Sequence, residues 1–454
     1  MQEANMMFVA TLIIAISIVE CNLHRRLALS GLMVFGTKPE SLCMGVMAVA
    51  CFLSIWVNNV AITAMMVPVV DRICDELFGD ILREDSCTEI RKMPEAESES
   101  LIGNKSLNET TSMQTKRVRL CLFLSVMFGA NIGATTTITS AASNLVFTSI
   151  LDFLYPGART PVDYVSWMMY ALPITVISLS LSYLAVWAVF FCARPKLPTR
   201  AGNVIELQYR ALGKMSFAES AVLSLFVVLV IFWLLRDPTF MRGWATFFEY
   251  RPKDSTVAVA VVLLLLVLPR VPTELGGPPI LGWDAIQARL SWTVILLIGC
   301  NFALAEAAAQ SGLSDWISSH LMVLSSLNPK IVAFIFSVFA SFLSEVLANA
   351  GVVSVLVPIF AKFAESSGVN PLLYMITPTI ASNFCFLLPV GTPANTIIYE
   401  HTRLEIKDLF VPGILVKLCT IIGFGFAIFF CSDPIFETGA FPAWAERLNK
   451  TAAI

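Results

Sequence analysis

The chain has 454 residues, 57% of them hydrophobic and 14% charged, with a formal net charge of −3 and a mean hydropathy of +0.76. Soluble globular proteins are about 45–50% apolar and about 25% charged, so this composition excludes an ordinary soluble domain and fits an all-α polytopic protein of the lipid bilayer. The small net charge gives no sign of a nucleic-acid partner, and none is expected.

A bilayer core takes about 20 apolar residues of helix. Met6–Val19 is apolar but short, and the first residues lack the basic region and small-residue cleavage site of a signal peptide. Leu32–Val57 is interrupted at Thr37–Glu40 and reads as the two arms of a hairpin. Val60–Val70 continues as a helix up to Asp71, and hydrophilic Asp71–Arg119 reads as a mobile loop. Leu120–Ala134 and Thr137–Leu154 flank a Thr-rich turn, and Val165–Cys192 is long enough to span with tilt.

A basic loop, Arg194–Lys214, precedes a span over Phe217–Leu235. Arg236–Lys253 is a mixed-charge loop, and Val257–Leu268 is a dense apolar run. Trp292–Ala309 reads as a span with Asn301 and Glu306 inside it, and amphipathic Leu313–Leu327 begins a second hairpin. Ile331–Leu347, Val352–Phe363, Pro371–Leu388 and Leu409–Cys431 complete a set of roughly ten or eleven membrane elements. The positive-inside rule puts the basic residues of Asp71–Arg119 and Arg194–Lys214 on the cytoplasmic side. The sequons at Asn104 and Asn108 would then be idle, and the one at Asn449 would be usable if the tail lies outside.

One pattern occurs twice. Trp56–Pro68 and Leu347–Pro358 each place an Asn (Asn59, Asn349) in an apolar run nine residues before a Pro. Each is followed by a polar interruption, Asn131–Asn144 and Leu388–Thr396. Broken membrane helices leave backbone groups that only a cavity can satisfy. Their N-termini attract anions and their freed carbonyls can hold Na⁺. Two such segments in matching positions predict two halves of a transporter framing a site between them. Glu306 and Glu345 are ionisable groups in or beside spans, read first as helix-end caps or partners. His24, His320 and His401 read as structural or solvated. Eleven scattered cysteines lack any C-x-x-C and read as small buried thiols. No catalytic constellation is present, so an enzyme is not expected.

The stretches Glu20–Leu29 (ECNLHRRLAL), Trp56–Val70, Asn131–Phe147, Gly299–Ile317, Ser344–Ala361 and Phe386–Tyr399 resemble the divalent anion–sodium symporters, the family of sodium-coupled dicarboxylate and citrate transporters and the Indy proteins. The resemblance covers nearly the whole chain. It implies an inverted repeat with two re-entrant hairpins, and a dimerising scaffold with an elevator-type transport domain. It also implies two Na⁺ ions and a small organic anion bound at the hairpin tips. The corresponding division is residues 1–192 for the first repeat, 193–270 for a loop and scaffold helices, 271–432 for the second repeat and 433–454 for an extracellular tail with glycosylation at Asn449. The family's N-terminal helices ahead of Asn5–Val19 are missing from this sequence, which implies a reduced scaffold or an incomplete record.

The family's Ser-Asn-Thr tips read here Asn58-Asn59-Val60 and Ala348-Asn349-Ala350, and Ala141 replaces a Thr in the first facing loop. Carried over by resemblance, the first Na⁺ site uses Ser54, Asn58, Asn59 and the backbone of Ser140. The second uses Ser344, Leu347, Asn349 and Gly391. The anion falls to Asn59, Asn144, Asn349, Thr392, Pro393 and Asn395. No Lys or Arg lies in these stretches, so helix N-termini are expected to supply the positive potential. Val60, Ala141, Ala348 and Ala350 donate no side-chain hydrogen bond, each of which is worth about 1.5–3 kcal/mol to a charged group. The leading expectation is Na⁺-coupled uptake of succinate, malate or citrate at the plasma membrane by a homodimer. A Na⁺-independent exchanger, a sulfate carrier, or a transport-dead binding protein are the alternatives.

Overall fold

The computed structural model describes residues 2–36, 38–90, 100–158, 160–192, 204–236, 242–250, 252–272, 277–290, 310–402 and 406–445, with 292, 295–296, 299–300, 303 and 306–307. Among these the secondary structure is helical, with no strand. The calls at Asn301 and Asn449 lie outside the described residues.

The chain opens with α1 (Gln2–Glu20) and α2 (Leu23–Phe35), bent by 72° at the intervening turn. Asn22 makes this turn in the left-handed conformation, φ 59°, which Asn tolerates better than most residues. Pro39 starts α3 (Pro39–Trp56), its fixed φ suiting the first helical position. Next come α4 (Asn59–Ile90) and α5 (Ser100–Gly133). Gly129 and Gly133 of α5 lie against the Met47 and Cys51 carbonyls of α3, leaving no room for a Cβ at either position. This small-xxx-small spacing lets two membrane helices approach backbone to backbone.

α6 (Ala142–Leu154) and α7 (Tyr164–Phe191) end the first half; Asp163 and Ser166 cap α7 reciprocally. Short α8 (Val204–Ala211), α9 (Phe217–Leu234), α10 (Asp254–Val267) and α11 (Trp283–Arg289) follow. The second half contains α12 (Leu313–Leu321), α13 (Pro329–Leu343), α14 (Asn349–Ser367), α15 (Pro371–Ala381), α16 (Pro393–Thr402), α17 (Ile406–Phe430) and α18 (Ser432–Phe436).

Five helices, α3, α7, α9, α14 and α17, are long and apolar enough to cross a bilayer, and the bent α1–α2 pair is a sixth candidate. α6, α10, α13 and α15 are apolar but shorter. The chain is a polytopic membrane protein. The loop expected over Asp71–Arg119 is instead helix up to Ile90 and again from Ser100. The reason is propensity: the stretch is rich in Glu, Lys, Arg, Leu and Met, whose helix cost is small, with Pro94 between the two helices.

Candidate functional site

Both Asn residues of the duplicated pattern begin a helix just after a break. Val57 is extended (φ −121°, ψ 144°) between α3 and α4, and Ala348 (φ −58°, ψ 137°) precedes α14. Asn59 and Asn349 are therefore first-turn residues, each beside N–H groups that have no partner within the helix. The facing turns do the same: extended Ala141 (φ −137°, ψ 147°) leads into α6, and Thr392 leads into α16. Residues 58–60, 141–143, 348–350 and 391–393 all line one cavity of about 670 Å³. Four helix N-termini thus meet on a single space, their partial positive ends favouring an anion.

Hydrogen bonds behind the tips match across the halves. Asn59 Nδ2 donates to Asn131 Oδ1 at 2.9 Å, and Asn349 Nδ2 donates to Asn383 Oδ1 at 3.4 Å. Asn131 in turn donates to Asn395 Oδ1 at 2.9 Å, and Asn383 donates to Asn144 Oδ1 at 3.2 Å. Each bond of this second pair crosses from one half to the other. Asn144 and Asn395, expected on the anion, do not line the cavity. Asn144 instead donates to the carbonyls of Ala134 and Thr137, and Asn395 to those of Cys385 and Leu388. They hold the two turns in shape. Asn59, Asn349, Thr392 and Pro393 do reach the cavity, as do Asn58 and Gly391.

The remaining residues of the expected cation sets sit behind the wall or away from it. Ser54 Oγ donates to the Ala130 carbonyl at 2.7 Å, and Ser140 Oγ to those of Ala134 (2.6 Å) and Thr137 (2.7 Å). Ser344 Oγ donates to Ser341 O at 2.9 Å, whereas the Leu347 side chain is exposed. A Cβ on Gly391 would meet Cys385 Sγ and the Ser344 carbonyl, so this turn requires glycine. The donor chemistry suits Na⁺, which takes neutral oxygens and freed carbonyls at broken helices. Asn349 Oδ1 is buried without a hydrogen-bond partner among the described residues. The Asn58 and Asn59 amide oxygens accept from the Val60 N–H, both at 3.0 Å.

Beside apolar residues of α1, three polar residues on the wall come from outside the duplicated stretches. Asn383 precedes the second turn, and its spacing to Asn395 nearly repeats that of Asn131 to Asn144, a signal in plain view. His24, expected to be structural or solvated, lines the cavity, with Nδ1 3.2 Å from the Ile18 carbonyl. Arg289 of α11 lines it too and pairs with Glu20 at 2.9 Å. The site therefore has a guanidinium on its wall that the local stretches did not contain. Glu306 is half-buried and accepts from Gln310 at 2.6 Å, away from the cavity.

Comparison with known proteins gives the family. A model described as "Sodium:sulfate symporter transmembrane region" matches residues 1–430. The rat Na⁺/citrate cotransporter is 32% identical over 98% of this chain and 85% of its own length. The sodium-dependent low-affinity dicarboxylate transporter 1 of Caenorhabditis elegans is 32% identical over 97% of this chain and 80% of its own. The human Na⁺/dicarboxylate cotransporter 3 is 31% identical over 99% and 83%. The chain belongs to the sodium:sulfate symporter family, the divalent anion–sodium symporters that the tip and turn sequences resemble.

Proposed function

We propose that the chain is a secondary active transporter that carries small di- or tricarboxylates, of the succinate, malate and citrate class, together with Na⁺ across the plasma membrane. The observation that carries this reading is the convergence of four helix N-termini on one cavity of about 670 Å³, a volume within the range of small-molecule sites. The anion would lie against Asn59, Asn349, Thr392 and Pro393, with the Arg289 guanidinium, paired with Glu20, on the same wall. The names of the relatives point to the same substrate class.

Two cation sets fit the donor chemistry: Ser54, Asn58, Asn59 and the Ser140 backbone, and Ser344, Asn349, Gly391 and the Leu347 backbone. The halves would be inverted repeats, 1–192 and 271–432, joined by scaffold helices in 193–270 and followed by an outward tail. Asn131–Asn395 and Asn383–Asn144 support an elevator, because they tie both tips into one body that can move as a unit. The fixed scaffold would dimerise.

The test is uptake of labelled succinate and citrate into proteoliposomes, with and without a Na⁺ gradient. Na⁺-stimulated uptake is the expected result. No uptake of either label, combined with no thermal stabilisation by Na⁺, would overturn the reading. The apolar side chains of Val60, Ala141, Ala348 and Ala350 on the wall favour one second reading, a carrier of another anion such as sulfate. Uptake of labelled sulfate in the same vesicles separates the two.

A further inference from the structure

A second cavity, of about 720 Å³, opens between α5, α7, α16 and α17, where the α7 span stops and the α17 span starts. Its wall joins the two halves of the chain. Lys116, Arg117 and Arg119 of α5 and Lys407 of α17 line it, against one carboxylate on the wall, Asp408. Asp71 of α4 lies beside it and pairs with Arg119, and with His401 of α16 at 3.4 Å. Arg117 is held differently. Its Nη2 donates to the Val189 carbonyl at 2.6 Å, and its guanidinium carbon lies 5.8 Å from the centre of the Phe190 ring. Both partners are neutral, so they orient the guanidinium and leave its charge in place.

The rest of the wall is largely apolar, with Leu120 and Phe123 of α5 and Val411 and Pro412 of α17. Val411 also heads an exposed apolar stripe. Val411, Leu415, Leu418 and Ile422 follow at helical spacing along α17, and all four are exposed. A charged mouth thus sits at the head of a face that runs down the span. The basic stretches Asp71–Arg119 and Arg194–Lys214 adjoin the same end, the cytoplasmic one by the positive-inside rule. The cytoplasmic leaflet carries the anionic phospholipids, and basic pockets between membrane helices suit their headgroups. A phosphodiester carries a single negative charge, whereas a phosphate monoester carries about −1.5 to −2 at pH 7. The excess of cations therefore matches a headgroup with more than one phosphate.

We propose that this cavity binds the multiply phosphorylated headgroup of an anionic phospholipid of the cytoplasmic leaflet, with an acyl chain along the α17 stripe. Arg117 and Lys407 take the phosphates, one from each half, so a bound lipid ties the halves together at their cytoplasmic end. The two cavities share no lining residue, and lipid binding here is independent of the sodium-coupled reading above.

The experiment is thermal melting of the purified full chain in detergent with dioctanoyl phosphatidylinositol bisphosphate, dioctanoyl phosphatidylcholine or inositol trisphosphate at equal concentration. The bisphosphate lipid should raise the melting temperature by at least about 2 °C and the other two should not. Arg117→Gln combined with Lys407→Gln should lose most of that shift, and Arg210→Gln combined with Lys214→Gln, both exposed and outside the cavity, should keep it. An equal shift with phosphatidylcholine overturns the proposal, because any lipid then serves. So does an equal shift with inositol trisphosphate, because the site then reads a soluble phosphate. A full shift in the Arg117–Lys407 double variant places the lipid elsewhere and overturns it too. If that variant yields no folded protein, photo-crosslinking of the wild type with a diazirine-tailed bisphosphate lipid decides. Labelled peptides should contain the cavity segments of α5, α7 or α17, and labelling confined to other segments overturns the proposal.

Discussion

At the first tip, the chain between α3 and α4 is held by neutral hydrogen bonds: Ser54 to Ala130, Asn59 to Asn131, Thr137 to Ile55. At the second tip, between α13 and α14, the amide bond from Asn349 is longer, and a buried ion pair, Lys417 with Glu345 at 2.6 Å, lies behind it. The same asparagine thus has two kinds of support. Neutral bonds are short-range and each can be lost singly. A buried ion pair concentrates the support in two groups, neither of which tolerates being left alone.

The sharpest way to break this comparison is Glu345→Ala. It strands the Lys417 ammonium and orphans the backbone N–H groups of Phe386, Leu387 and Leu388, at an expected cost of about 3–5 kcal/mol. Thermal melting should show little or no folded protein. In the first half, Ser54→Ala, one residue before the position that matches Glu345, removes the hydroxyl donor from the Ala130 carbonyl, which keeps the Ala134 N–H, and should cost about 0.5–1.5 kcal/mol. Equal losses from the two would end the contrast.

The asparagines themselves sharpen it. Asn59→Ala leaves Asn131 Oδ1 without a donor and should cost about 1–3 kcal/mol of stability as well as uptake. Asn349, with its longer bond and an orphaned oxygen, should cost less than about 1 kcal/mol when replaced by Ala, yet abolish uptake. Normal uptake by Asn349→Ala would remove it from the site. Ala348→Ser combined with Ala350→Thr should tighten dicarboxylate binding at least about tenfold, since each new hydrogen bond to a carboxylate adds about 1.5–3 kcal/mol. Unchanged affinity would point to another anion.

The smallest effect belongs to a partly exposed ion pair of the same half, outside the spans. Lys330 and then Thr438 bond the Asp433 carboxylate and hold its pKa below the usual value. A depressed carboxylate pKa stabilises the fold above the unfolded value of about 4, and the gain fades as pH falls through the native one. Lys330→Ala should therefore lower the melting temperature slightly at pH 7 and not at all at strongly acid pH. A surface pair is worth up to about 1 kcal/mol. A loss as large as that of Glu345→Ala would mean that burial is not what separates the two pairs.

Much of the fold and the tips was legible in the sequence. The two Asn-to-Pro runs mark helix starts because an Asn in an apolar run is costly unless it caps a break. The interruption at Thr37–Glu40 separates α2 from α3 as expected. What was not legible came from elsewhere in the chain. Arg289 reaches the cavity from α11 and His24 from α2, and neither has a local reason to face it. Lys417 was hidden by the hydropathy of its span, although an ionisable residue in mid-span is a signal of its own. Asn144 and Asn395 were expected on the anion by family resemblance alone, but their amide nitrogens bond turn carbonyls. The Asp71–Arg119 stretch looked like a loop because it is charged, and charge does not prevent a helix.

The crossing amides have a consequence for biogenesis. Asn131 and Asn395, and likewise Asn383 and Asn144, complete each other only when both halves are present. A first half emerging alone from the ribosome lacks the acceptors of the Asn131 amide nitrogen and the Asn383 donor to the Asn144 amide oxygen, each loss costing about 1–3 kcal/mol. Its tip should stay open to proteases and chaperones until the second half arrives. The halves made as separate chains should mature only when co-expressed, so these four side chains act as a checkpoint on assembly as well as a frame for the site.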